Sequence, residues 1–134
     1  MKRAVILLAA LACGSGGQSP GADVEVGYGQ RFDLPVGDLA LVGGTSRVTF
    51  ARVAEESRCP SGANCIQAGN AAAVFAVESP AGNATLTLNT DREPRRAAAA
   101  GLALDLIELE PRPVQGAAMD SGAYVAVLVA EGAP

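Results

Sequence analysis

A chain of 134 residues with 49% apolar side chains, only 4% aromatic ones and no Trp has room for one small domain with a core of Val, Leu, Ile and Ala. Nine of its ten basic residues are Arg, the formal charge is −4, and the only basic cluster, Arg92, Arg95 and Arg96, is broken by Glu93, so there is no electrostatic reason to bind nucleic acid. The absence of His excludes Ser-His-Asp and Cys-His catalysis and leaves a zinc site without imidazole ligands.

The chain opens on the pattern of an export signal over residues 1–12: Lys2 and Arg3 are the positive region, Ala4 to Leu11 the apolar one, and small residues precede Cys13. Eight apolar residues are too few to span a bilayer. Removing that segment leaves 8 basic against 14 acidic residues, a formal −6. Ala10-Leu11-Ala12-Cys13 resembles a bacterial lipobox, with Ala10 where the commonest form has Leu, and it also fits ordinary secretory cleavage. Cysteine parity favours lipidation of Cys13, because ordinary cleavage would leave an exported protein with three cysteines. Residues 13–22 are rich in Gly and Ser and read as a flexible tether from the anchor to the body. The expected location is the bacterial outer membrane or periplasm, with the membrane reached through the lipid on Cys13.

Residues 23–134 read as an all-β domain, because apolar residues alternate in short runs separated by turns. Val24, Val26 and Tyr28 share one face, Phe32 and Leu34 continue after Gly29-Gln30, and Leu39 and Leu41 begin a run ended by Gly43-Gly44. Val48 and Phe50 share a face with which Val53 is out of phase, so a β-bulge is expected near Ala51 or Arg52. Ala71 to Glu78 is apolar on both faces and should be a central strand, paired as a hairpin with Ala84 to Thr90 through Ser79-Pro80-Ala81-Gly82-Asn83. Residues 91–101, with Pro94 and four alanines, admit a short helix or a loop. Leu102, Leu104 and Leu106 change phase to Ile107 and Leu109, which again calls for a bulge, and Pro111 and Pro113 end the run. Val125, Val127 and Val129 form one face of the last strand, with Tyr124 and Leu128 on the other. About eight strands in this length predict a small antiparallel β-sandwich or a compact barrel.

The distinctive chemistry lies between residues 55 and 70. Cys59 and Cys65 enclose five turn-forming residues, and an oxidising compartment would close them into a disulfide loop. The chain-entropy argument credits so short a loop with about 2 to 2.5 kcal/mol. Catalytic dithiols favour two intervening residues, and two thiols fall short of a structural metal site, so a staple is the reading. Glu56 and Arg58 alternate just ahead of it and share a face in an extended segment, where a carboxylate and a guanidinium can hold the loop.

Glu56-Ser57-Arg58-Cys59-Pro60, then Cys65, then Ala68-Gly69-Asn70, resembles the signature of a family of small uncharacterised bacterial lipoproteins and periplasmic proteins. In that family an Asp stands at the place of Glu56 and an aromatic residue at the place of Gln67. The resemblance implies an exported β-rich body and no particular activity.

Paired carboxylates remain at Glu55/Glu56, Asp91/Glu93 and Glu108/Glu110, but Tyr28 and Tyr124 are the only Tyr residues available as sugar platforms, and no spacing matches an EF-hand loop. No catalytic residue, cofactor or metal is therefore expected. Two functions stay open: a lipid-anchored interaction module for an unknown envelope protein, and a small-ligand or calcium-binding envelope protein with a pocket near the Cys59–Cys65 loop.

Overall fold

The alternation is realised as nine strands in two sheets, and the computed structural model describes residues 24–133. The export signal, Cys13 and the tether fall outside the described residues. The strands are β1 (Val24–Val26), β2 (Arg31–Pro35), β3 (Leu39–Val42), β4 (Ser46–Glu56), β5 (Ala71–Ser79), β6 (Gly82–Asn89), β7 (Arg96–Ala99), β8 (Leu102–Glu110) and β9 (Val125–Gly132). One sheet has the order β1-β3-β4-β5-β6 and the other β2-β9-β8-β7. All pairings are antiparallel except β1 with β3. The sheets pack face to face as a sandwich and do not close into a barrel, the other shape that the strand pattern allowed.

The ninth strand corrects the reading of residues 91–101. Four alanines favour helix by propensity, but one turn of helix is too short to repay its nucleation. Ala100 and Gly101 instead take φ of 54° and 75°. Two successive left-handed residues make the tight turn that matches strand twist, so β7 folds back on β8 with Ala99 opposite Leu102.

The inner faces carry the core. Phe50 and Phe75 face each other across β4 and β5 with ring centroids 5.0 Å apart, flanked by Val48, Val77 and Leu88. From the other sheet come Leu34, Leu102, Leu104, Leu106, Leu109 and Leu128. Among the described residues Ile contributes nothing, contrary to the composition-based expectation, because Ile66 and Ile107 are both exposed.

Register explains the departures from simple alternation. On β3 the buried residues are Ala40 and Val42, not the leading Leu39 and Leu41, since pairing with β4 sets Ala40 opposite Val48 and Val42 opposite Ser46. A shift of one residue would have turned Val48 and Phe50 outward, so the larger set decides the parity. Register shifts fall between Phe50 and Arg52, at the expected bulge, and again between Val53 and Glu55, where none was foreseen. The shift between Leu106 and Glu108 keeps both Leu106 and Leu109 inside while Ile107 stands outside at 37% exposure. Strand β5 is internal, and on its outer face Val74 is 7% exposed between Arg52 and Thr87.

Candidate functional site

Three long connections meet at one end of the sandwich: β4 to β5 (residues 57–70), β6 to β7 (90–95) and β8 to β9 (111–124). The opposite end holds short turns. The first connection carries the cysteines, and nearly every polar group around it is committed to holding it.

At its neck, Ser57 N–H donates to the Asn70 carbonyl at 2.7 Å. The Ser57 hydroxyl donates to the same carbonyl at 3.0 Å and accepts from Asn70 N–H at 3.0 Å. The strands pass so closely here that a Cβ on Gly69 would lie 1.4 Å from the Ser57 carbonyl oxygen. Only glycine fits, although the Gly69 backbone needs no left-handed φ.

Asn70, 4% exposed, ties this neck to the next connection. Its Nδ2 donates to Glu55 Oε2 at 2.8 Å and to Asn89 Oδ1 at 3.0 Å, and its Oδ1 accepts from Asp91 N–H at 3.0 Å. Asn89 in turn donates through Nδ2 to the Pro94 carbonyl at 3.1 Å. Both Asn side chains thus satisfy in the interior the bonds that a buried amide requires. The Asn70 amide first, and second the Arg92 guanidinium that pairs with the carboxylate, hold Glu55 below the usual carboxylate range.

Arg58 ties the neck to the other sheet. Its side chain is 8% exposed and that of Glu56 18%. The guanidinium grips Glu56 in bidentate fashion, Nε to Oε2 at 3.0 Å and Nη2 to Oε1 at 2.5 Å. Its remaining donors reach across the sandwich to the carbonyls of Leu109 at 2.7 Å and Pro111 at 3.0 Å. The Tyr124 hydroxyl donates to Glu56 Oε1 at 3.2 Å. Burial, reinforced by the Glu56 charge, pushes the Tyr124 phenol above its usual pKa. A planar guanidinium can grip one carboxylate with two bonds and still serve two carbonyls, and an ammonium with three donors cannot.

The loop itself is closed by the Cys59–Cys65 disulfide, with Cα atoms 5.9 Å apart. Ala63 N–H donates to the Pro60 carbonyl at 3.1 Å, forming a turn with Gly62 at φ +90° in the position that requires a left-handed residue. Ser61 then pairs with the β8–β9 connection: its N–H donates to the Pro113 carbonyl at 2.9 Å and its carbonyl accepts from Gln115 N–H at 3.0 Å. Beyond these fastenings the tip is bare. Ile66 is 101% exposed, with Asn64, Gln67 and Ala68 also exposed, and Val114 on the bridged segment is 53% exposed.

Glu56, Ser57, Arg58, Gly69 and Asn70 are therefore brought together in one network around the loop neck. Pro60 contributes its carbonyl to the loop turn. Ala68 makes no bond that explains it. The roles of Glu55, Asn89, Tyr124 and the carbonyls of Leu109 and Pro111 in this network escaped the sequence reading, and none of them carries a local signal for its role. Beside the loop lie two clefts, an open one of about 510 Å³ lined among others by Ser57, Ala68, Asn70 and Arg92, and one of about 230 Å³ lined among others by Thr90, Asp91, Arg95 and Arg112. Among the described residues no three His, Cys, Asp or Glu side chains converge as a metal site. With Arg58 and Glu56 fully occupied by each other and by the fold, the arrangement stabilises and presents a loop. A scan against protein-family models and searches of curated proteins and of solved structures find no match to this chain.

Proposed function

We propose that this chain is a non-enzymatic, lipid-anchored domain of the bacterial cell envelope that binds a partner protein through the tip of its cysteine loop. The lipid would sit on Cys13, the Gly/Ser segment would hold the body off the membrane, and the resemblance of the residue 56–70 motif to envelope lipoproteins supports that setting. The observation that carries the reading is the exposure of Ile66 on a loop fastened at its neck, across its cysteines and along Ser61. A large apolar side chain held this way meets a partner with little ordering left to lose, which is the condition for a useful contact.

A photocrosslinking residue at position 66 in the native host tests it. The expected result is a discrete adduct that disappears when the same residue is placed at Arg47 on the sandwich face. An absence of any adduct at position 66 would overturn the reading. Cys13→Ser should move the protein from the membrane to the soluble fraction, and retention on the membrane would overturn the anchor. The small-ligand reading keeps two observations, the cleft between Arg95 and Arg112 and the larger one between Ala68 and Arg92. A shift in melting temperature with small carboxylates would favour it over the loop tip.

A further inference from the structure

An unpaired strand at the edge of a sheet invites another strand, and proteins guard such edges with brevity, charge, proline or bulges. Three of the four edges here are guarded. Strand β1 is three residues long and carries Glu25. Strand β2 carries Arg31, Asp33 and Pro35. Strand β7 has four residues, starts at Arg96 and follows Pro94 and Arg95.

Strand β6 has no such guard. Its eight residues, Gly82–Asn89, include no charge and no proline. Its register with β5 runs without a bulge from Ser79 opposite Gly82 to Ala72 opposite Asn89. No strand is hydrogen-bonded to its far side among the described residues, and β7 of the other sheet is its neighbour across the corner of the sandwich. The direction of its backbone groups follows from one bond: Asn89 N–H points away from β5 and donates to the Pro94 carbonyl at 2.9 Å. In an antiparallel ladder that orientation repeats at every second residue. Asn83, Thr85 and Thr87 therefore turn both N–H and C=O outward along a straight edge, and all three residues are exposed.

We propose that β6 pairs antiparallel with β6 of a second copy of this chain, joining the two five-stranded sheets into one. A two-fold axis at Thr85 sets Thr85 opposite its own copy and Asn83 opposite Thr87, so each outward N–H meets an outward C=O. The side chains that face each other are hydroxyls and an amide, which are favourable cross-strand neighbours. The same operation on β2 would set Asp33 against Asp33 and Arg31 against Pro35, which shows why β6 is the self-complementary edge. A closed two-fold contact of this kind ends at the dimer and does not propagate.

Sedimentation equilibrium of the full chain in dodecylmaltoside, over a range of protein concentrations, tests the pairing. The wild type should show a monomer–dimer equilibrium. Thr85→Lys and Thr85→Glu should each weaken it by about tenfold, because like charges then meet at the axis. Mixing the two variants at low salt should restore dimer. Hydrogen exchange in the wild type should show the Asn83, Thr85 and Thr87 amides gaining protection with concentration, while the Asn89 amide is protected throughout. A wild type that stays monomeric, a lysine variant that still dimerises, or a mixture no better than either variant alone would each overturn the pairing.

Discussion

The two ends of the sandwich are finished by different physics. At the hairpin end, backbone geometry does most of the work: Pro80 and Ala81 make a two-residue turn between Ser79 and Gly82, Ala100 and Gly101 make another, and Gly43 and Gly44 take φ of 60° and 78° to turn β3 into β4. The Ser79 hydroxyl accepts from Ala81 N–H and donates to the Ala100 carbonyl at 2.5 Å, joining the first two turns. At the cysteine end, fourteen residues separate β4 from β5, and turn chemistry alone would leave them loose. Side chains do the fastening there, through Ser57 and Asn70 at the neck, Arg58 and Glu56 across the sandwich, and the disulfide in the loop. Substitutions at the first end should act through φ. Those at the second should act through lost partners and should cost much more.

Gly69→Ala should have the largest effect. The new Cβ would collide with the Ser57 carbonyl, so the neck must open, and a loss of about 4 kcal/mol or more is expected in urea denaturation. Arg58→Ala comes next, at about 3 kcal/mol, because it strands the largely buried Glu56 and two carbonyls. Arg58→Lys should rescue less than half of that loss, since an ammonium cannot span the same acceptors. If Arg58→Ala left the unfolding midpoint unchanged, the contrast between the two ends would collapse.

The hairpin end should respond in the opposite direction. Ala100 holds a left-handed φ of 54° without being glycine, so Ala100→Gly should stabilise by about 1 kcal/mol, and Ala100→Asn, which suits the same turn, by a similar amount. The smallest effect concerns acid. The depressed pKa of Glu55 means that the unfolded chain takes up this proton before the folded chain does, so the stability it contributes is present above the unfolded value and lost as pH falls through the folded one. Glu55→Gln should flatten the acid limb of the stability–pH curve while leaving the alkaline limb unchanged.

What the sequence disclosed follows the same division. Period-two alternation marked the strands, and the phase break between Phe50 and Val53 located the bulge on β4, because burial on one face is written directly in residue order. Strand β7 was hidden, since its alanines carry no β signal and its existence depends on pairing with β8 and on a strained Ala100. The inward phase of β3 was hidden for a related reason, as it is β4 that decides it. At the cysteine end the motif named Glu56, Ser57, Arg58, Gly69 and Asn70, but not their partners outside it. Leu109 and Pro111 act through backbone carbonyls, which leave no trace in side-chain identity, and Tyr124 reaches Glu56 only once the sheets are stacked. The necessity of Gly69 was likewise invisible, because it rests on how closely two backbones pass.

The central claim is that these fastenings hold the loop tip rigid while leaving Ile66 exposed. Backbone ¹⁵N relaxation through Cys59 to Gln67 tests it most directly. Order parameters near those of the strands, about 0.85, are expected. Values below about 0.6 across the tip would contradict the claim.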